Sequence, residues 1–177
     1  GIILLATVGH AGAGFYYVNG GLGNDLWDGS SPLFQSGNTG PKATLQAAMD
    51  AAGDQDTILV ADGSYSGAGN RDLYSQGKAL TIRSENGPDA CLIIPAGSLT
   101  EPHRGFYLDS DCILEGFTIR SGYAWGGGIY CVTSSPILRN CVLQGNSSQG
   151  KGGGLACDRA TVLLEGCVIR YNTANDG

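Results

Sequence analysis

The sequence predicts an all-β protein built as a parallel β-helix, a solenoid with a short capping helix near its N-terminus. Three observations support this: an internal repeat, strand-like composition within each copy, and one helical pattern before the first copy. Residues 126–131 read Gly-Gly-Gly-Ile-Tyr-Cys, and 26 positions later residues 152–157 read Gly-Gly-Gly-Leu-Ala-Cys. A fixed period of this length is typical of a solenoid, in which each coil buries its apolar face against the next.

The repeat extends on both sides of the glycine triplets. Residues 137–143 match residues 163–169 at the same offset, and residues 114–120 match residues 138–144 at an offset of 24. Earlier copies with looser spacing are residues 105–108, 80–83 and 57–60. The alignment therefore predicts about five coils.

Each copy contains short runs of Val, Ile and Leu, interrupted by Gly, Asn and Ser, and none is long enough for a helix. These runs predict short strands that pair in parallel with the next coil. Period-two alternation then directs two ladders into the core. They are Phe117, Cys141 and Cys167, and Ile119, Leu143 and Ile169.

Two rows of outward residues carry charge. The first row alternates in sign, and the second places a neutral residue between cations. The rows are Glu115, Arg139 and Glu165, and Arg83, Arg120, Gln144 and Arg170. Because like charges on adjacent strands repel, we interpret both rows as charge spacing and not as a binding stripe.

Asn146 and Asn172 occupy equivalent positions just after a strand. Asparagine tolerates the left-handed conformation of a tight turn, and stacked amides can hydrogen-bond to each other, so we expect a structural role. The glycine triplets are interpreted as turns because none opens a helix in the manner of a phosphate-binding loop.

The six cysteines leave two interpretations open. Cys131 with Cys157, and Cys141 with Cys167, are close enough in adjacent coils for disulfides. Their side chains point parallel, however, so we favour buried thiols that pack as small apolar groups. The remaining two lie in less regular coils and could form a bridge in an exporting compartment. These are Cys91 and Cys112.

The segments before the coils have distinct characters. Residues 1–13 contain an apolar run, too short to span a bilayer, that is followed by small residues as in an export signal. If retained, this run would be a strand or an assembly contact through Ile2, Ile3, Leu4 and Leu5. Residues 14–55 form an extension in which Leu45, Ala48, Met49 and Ala52 follow helical spacing, and the predicted helix caps the first coil.

Residues 56–177 comprise the coils, and no capping pattern follows the last copy. We expect either a longer protein or a coil end that another molecule covers. Head-to-tail association of solenoid ends would produce a filament.

Three segments resemble a known group. They are residues 56–65 (Asp-Thr-Ile-Leu-Val-Ala-Asp-Gly-Ser-Tyr), residues 80–88 (Leu-Thr-Ile-Arg-Ser-Glu-Asn-Gly-Pro) and the glycine-triplet repeats. Through these segments, the chain from about residue 40 onward resembles secreted right-handed parallel β-helix proteins of the pectin-lyase-like superfamily. The resemblance implies the fold and a secreted or cell-surface location. It does not specify activity, because the superfamily contains polysaccharide lyases, glycoside hydrolases, adhesins and surface proteins without catalysis.

Charge and chemistry restrict the function further. With a formal net charge of −6, the surface would repel a nucleic-acid backbone. No superfamily catalytic motif can be transferred to this chain, and the acidic residues of the coils are interpreted as solvated turn and ladder residues. A lyase or hydrolase would need converging carboxylates and a base.

Three aromatic residues are the candidate carbohydrate contacts. Tyr123 and Trp125 precede the first glycine triplet, and Tyr130 should point outward from its strand. Sugar rings stack on such side chains, although packing over the coil edge is the alternative. Residues 24–29 are a candidate calcium segment without the full spacing of a calcium loop, and zinc is not expected because no CxxC pair is present.

The sequence therefore predicts an extracellular structural β-helix, a scaffold or filament subunit that contacts carbohydrate, with no cofactor. The alternative is a carbohydrate-active enzyme, a polysaccharide lyase above all. The predicted partners are further copies of the chain and a polysaccharide.

Overall fold

The computed structural model describes residues 13–176, which form a parallel β-solenoid of about five coils with one short helix. The coils stack so that each strand pairs in parallel with its equivalent in the next coil. The predicted fold class is confirmed. The apolar residues Ile2, Ile3, Leu4 and Leu5 lie outside the described residues.

Three sheets run along the solenoid. The first contains β1 (Phe15–Val18), β2 (Thr57–Val60), β5 (Thr81–Ser84), β8 (Ile113–Glu115), β11 (Ile137–Arg139) and β15 (Leu163–Glu165). The second contains β3 (Gly63–Ser66), β6 (Cys91–Ile94), β9 (Thr118–Arg120), β12 (Val142–Gln144) and β16 (Val168–Arg170). The third contains β4 (Leu73–Tyr74), β7 (Phe106–Leu108), β10 (Ile129–Val132) and β14 (Leu155–Asp158). A small fourth pairing joins β13 (Ser147–Ser148) to β17 (Thr173–Ala174).

Left-handed residues turn the chain at the corners between sheets. One such residue separates the first sheet from the second in successive coils, and another follows the second sheet. These residues are Gly116, Asn140 and Gly166, and Ser121, Gly145 and Tyr171, all with positive φ. A single left-handed residue bends the chain sharply from one sheet into the next, which keeps each corner short.

The core is the inside of the solenoid. Phe117, Ile119, Cys141 and Leu143 are fully buried, as the inward ladders require. Register pairs Ile119 with Leu143 and Leu143 with Ile169. Ile169 remains 45% exposed because no described coil covers it.

The structure corrects the position of Arg83. It pairs with Glu115 on the first sheet, whereas the sequence alignment placed it with Arg120 on the second. The first sheet thus carries a row of alternating sign in which Arg139 bonds to Glu165. The alignment was wrong because the motif Thr-Ile-Arg occurs in both sheets. The sequence of a short apolar strand does not show to which sheet the strand belongs.

Asn146 and Asn172 form a stacked pair at the corner after the second sheet. Asn146 is completely buried, donates to the Ile119 carbonyl and accepts from the Gly122 N–H. The carbonyl of the Asn172 side chain accepts from both the backbone and the side chain of Asn146. These bonds satisfy backbone groups that the turn leaves without sheet partners.

Helix α1 (Leu45–Ala51) packs on the first coil, against β1, β2 and β4. The Thr44 side chain accepts from the Ala47 N–H as an N-cap. Leu45, Ala48 and Met49 are buried, in agreement with the helical spacing in the sequence. Strand β1 was not anticipated, and it extends the first sheet ahead of β2.

All six cysteines are free thiols. Burial raises the pKa of Cys91 to about 12 and that of Cys141 to about 11, so both are protonated at neutral pH. Cys131 is buried and in register with Cys157, which is exposed. The four buried thiols pack as core residues.

Replacing Asn146 by Ala (N146A) should lower the free energy of unfolding by about 2–4 kcal/mol, because the Ile119 carbonyl and the Gly122 N–H would lose their partner in the core. Urea unfolding followed by circular dichroism measures this. The matched control is Asn172→Ala in the last described coil, where the residue is only half-buried and the loss should be smaller. Equal losses in the two variants would contradict the proposed dependence on burial.

In the native protein, iodoacetamide at mildly alkaline pH should label Cys157 first, because it is the exposed thiol. Cys91 and Cys141 should react only after unfolding, since burial excludes the reagent and raises their pKa. Peptide mass spectrometry of native and urea-unfolded samples gives the order of labelling. Rapid native labelling of Cys141 would be inconsistent with the packed core.

Candidate functional site

A ladder of tyrosines lies on the outer face of the third sheet. Tyr74, Tyr107 and Tyr130 are in register on β4, β7 and β10. Their rings meet edge to face, with centroids 5.2 Å and 5.6 Å apart. The residues on either side of each tyrosine point inward, so alternation holds the rings outside the core. Ala156 takes the same position on β14 and leaves a hollow beside Tyr130.

Arg104 lies over two rings of this ladder. The central guanidinium carbon of Arg104 is 5.1 Å from the Tyr130 ring centroid and 5.8 Å from that of Tyr107. Both distances are within the range of a cation–π contact. Burial lowers the pKa of Arg104, and its Nη1 atom is buried without a hydrogen-bond partner among the described residues. The guanidinium is therefore partly desolvated while its charge is held against the tyrosines.

Three hollows lie along this face and share lining residues. The first, of about 460 Å³, is lined by Asp72, Tyr74, Arg104 and Tyr107. The second, of about 280 Å³, is lined by Leu99, Pro102, Arg104, Tyr123, Ala124, Trp125 and Gln149. The third, of about 380 Å³, is lined by Trp125, Tyr130, Gly150, Lys151, Ala156, Cys157, Asp158 and Asp176. Arg104 is shared by the first two hollows and Trp125 by the last two, so we treat them as one aromatic groove.

An insertion in the second coil positions Arg104. The connection between β6 and β7, residues 95–105, is longer than the equivalent connections in the coils before and after it, residues 67–72 and 121–128. The insertion is fixed to the next coil because the Tyr123 N–H donates to the His103 carbonyl and the Gly97 N–H to the Ser121 carbonyl. A side chain at Gly97 would lie 2.5 Å from the His103 carbonyl oxygen, so this close approach requires glycine.

Trp125 is the most exposed aromatic residue of the groove, with 61% of its surface accessible. Its indole lies close to Gly150, where an added Cβ would meet Nε1 at 2.7 Å. Glycine at position 150 therefore leaves the space that the indole fills between the second and third hollows.

The two acidic residues beside the first hollow are engaged in hydrogen bonds, whereas Asp158 and Asp176 of the third hollow make no side-chain hydrogen bond among the described residues. Asp72 accepts from the Arg104 backbone N–H and lies 2.6 Å from Nδ1 of His103. Asp109 accepts from Ser75, Tyr74 and the Gly77 N–H. Burial alone would raise the pKa of Asp109, but these hydrogen bonds outweigh it and the pKa is lowered. The Tyr74 hydroxyl donates to Asp109, which raises the pKa of Tyr74.

The structure brings together all three aromatic residues that the sequence identified. Tyr123 and Trp125 line the second hollow, and Trp125 and Tyr130 line the third. Tyr74, Tyr107 and Arg104 also belong to the groove but were not predicted as contacts from the sequence. The aligned motifs Gly-Phe-Tyr and Gly-Ile-Tyr at 105–107 and 128–130 already placed two tyrosines at one position, and the long spacing before residue 105 marked the insertion.

The carboxylates of the candidate calcium segment, residues 24–29, accept hydrogen bonds from the protein itself. The Asp25 carboxylate accepts from the Ala43 and Thr44 N–H groups, and Asp28 accepts from Ser30. Residues 13–176 contain no group of three or more His, Cys, Asp or Glu side chains arranged to hold a metal ion. No helix in that part of the chain is long and apolar enough to cross a membrane.

No protein-family model matches this chain, and no curated protein matches it. A similar solved structure is that of a rhamnogalacturonan lyase, with a TM-score of 0.52 and 14% sequence identity. The similarity covers 90% of this chain and 52% of that one, so this chain spans about half the length of the lyase chain. At this identity, the shared property is the β-helix fold.

Replacing Gly150 by Ala should displace the Trp125 indole. In a Trp27→Phe background Trp125 is the sole tryptophan, so its fluorescence emission reports its environment directly. We expect G150A to shift the emission maximum. Gly21→Ala in the same background is the control, because a Cβ there would meet nothing closer than 3.7 Å. Unchanged emission in G150A would contradict the described position of the indole.

Proposed function

We propose that this protein binds a polysaccharide through the aromatic groove and does not cleave it. The observation that supports this most directly is the ladder of Tyr74, Tyr107 and Tyr130, which Trp125 continues into the third hollow. A linear glycan lying along the solenoid axis would meet one tyrosine ring in each of the three coils that carry the ladder.

The physical basis is that the solenoid and a linear polysaccharide both present a repeating surface. Coils stack about 4.8 Å apart, so equivalent side chains present similar surfaces at regular intervals. The apolar C–H face of a sugar ring packs on an aromatic ring, and a polar hydroxyl at the ring edge bonds to the hydroxyl groups of the sugar. The Tyr74 hydroxyl donates to Asp109, but Tyr107 and Tyr130 make no side-chain hydrogen bond to another described residue, so their hydroxyls are available to a ligand.

The binding proposal is preferred to the lyase alternative for a chemical reason. Asp72 is the acidic residue that lines the first hollow, and its carboxylate is already held by His103 and by a backbone N–H. In the third hollow Asp158 pairs with Arg159, and neither Asp176 nor Lys151 has a side-chain hydrogen bond among the described residues that would position it. Proton abstraction and leaving-group protonation both need positioned acid–base groups that face the substrate. The fold shared with a rhamnogalacturonan lyase supports a polysaccharide as the ligand and leaves the chemistry open.

A secreted or cell-surface location is consistent with a polysaccharide partner and with the export-like residues 1–13. The scaffold or filament role remains a separate hypothesis. It would use the exposed apolar side chains of the last described coil, such as Leu163, Leu164 and Ile169. These side chains do not specify what covers them.

Affinity electrophoresis through gels that contain a neutral or an anionic polysaccharide tests the binding proposal. We expect at least one polysaccharide to retard the native protein. Trp125→Ala and Tyr130→Ala should each weaken binding about 5- to 30-fold, because each removes one stacking surface.

The matched control is Tyr171→Ala. Tyr171 is 81% exposed and also contacts an arginine, Arg170, but it lies outside the groove. Its removal should leave binding unchanged. Retardation that persists in the Trp125→Ala/Tyr130→Ala double variant, or no retardation in any gel, would refute the proposal.

A further inference from the structure

We infer that Arg104 is the anion-recognising residue of the groove, so that the glycan carries carboxylate or sulfate groups. This inference rests on the proposed function, since it assigns the chemistry of a ligand in the same groove. It concerns the second hollow, in which Arg104, Tyr123 and Trp125 lie together.

The Arg104 guanidinium makes no salt bridge or hydrogen bond within the described chain, although Asp72 is near enough to favour its charged form. Arg104 takes part in none of the ion pairs among residues 13–176, and its side chain donates no hydrogen bond there. Asp72 is the nearby acid, but it accepts from the backbone N–H of Arg104 and is paired with His103. A partly buried guanidinium whose N–H groups have no acceptor is unfavourable, so an anionic ligand would gain a charge-assisted bond at this position.

Arg71, Arg83, Arg120 and Lys151 likewise make no ion pair or side-chain hydrogen bond among the described residues, but only Arg104 has a buried guanidinium nitrogen without a partner there. Three further basic side chains have partners. Arg139 pairs with Glu165, and Arg170 donates to the side-chain carbonyl of Gln144. Lys78 donates to three carbonyl oxygens beside the helix, those of Met49, Asp50 and Ala52. These cations are satisfied within the protein, whereas the Arg104 guanidinium is held only against aromatic rings.

The lining of the second hollow favours an anion. Arg104 is the one charged residue among the seven that line it, and Leu99, Pro102 and Ala124 make the wall apolar. A charge in such surroundings is screened less than in open water, which strengthens its attraction to an anion. The first hollow also contains Asp72, and the third contains Lys151 with two acidic residues. The second hollow should therefore discriminate best between anionic and neutral ligands.

The net charge of the protein opposes the attraction of an anion to Arg104. At a formal −6, the protein repels anions at long range. Recognition must therefore come from short-range hydrogen bonds. The planar guanidinium donates two parallel N–H bonds to the oxygens of a carboxylate or a sulfate. This predicts that binding depends on the shape of the arginine as well as its charge.

Two matched pairs of polymers test the inference. Hydroxyethylcellulose and carboxymethylcellulose differ by the carboxylate, and dextran and dextran sulfate differ by the sulfate. Affinity electrophoresis measures Kd for each polymer with the native protein, Arg104→Gln and Arg104→Lys. Arg170→Gln is the control, because it removes an exposed arginine that also contacts a tyrosine.

We expect the native protein to bind the anionic member of at least one pair more tightly. Arg104→Gln should weaken binding of that member about 10- to 100-fold and leave the neutral member unchanged, while Arg104→Lys should recover part of the loss. Which pair shows the preference distinguishes carboxylate from sulfate. Arg170→Gln should behave as the native protein.

Equal weakening of the neutral and anionic members by Arg104→Gln would overturn the anion assignment and leave polysaccharide binding intact, because Arg104 would then only support the tyrosine ladder. The absence of any preference for an anionic member in the native protein would also overturn it. Polymer binding that is unaffected by the Trp125→Ala/Tyr130→Ala double variant would instead refute the groove itself. The thermal unfolding midpoint of each variant confirms that these differences arise in folded protein.

Discussion

In-register parallel stacking of the coils is the constraint on which the rest of this structure depends. Because each strand pairs with its equivalent in the next coil, one choice of residue at one position is repeated at the same place on the surface. Inward positions accumulate into the core, and the same register aligns Asn146 over Asn172 at a corner. The register also prevents any coil from shifting alone, since a slip of one residue would bring polar side chains inward.

The aromatic groove results from this repetition and from two departures from it. Repetition supplies Tyr74, Tyr107 and Tyr130 at the same outward position. The first departure is Ala156, whose small side chain leaves the third hollow open. The second is the insertion at residues 95–105, which brings Arg104 over the tyrosines. A regular solenoid would have a ladder without hollows or a cation.

Hydrogen bonding separates the groove from the polar residues around it. Asp72 and Asp109 are committed to partners within the solenoid, where they connect one coil to the next. Arg104 and the hydroxyls of Tyr107 and Tyr130 lack such partners among the described residues. Polar groups that the fold does not satisfy are the ones left to a ligand, which is why the proposals concern these residues.

The sequence by itself determined the solenoid, its coil length, the inward ladders and the helix at residues 45–51, because period and alternation are local properties of a chain. It also identified Tyr123, Trp125 and Tyr130 as one aromatic cluster. It misplaced Arg83 and missed Arg104, since the row of a short strand and the path of an insertion depend on contacts between coils. Only the tertiary structure decided that Arg104 lies on the tyrosine ladder without a salt bridge among the described residues, because that position is set by hydrogen bonds between residues far apart in the sequence.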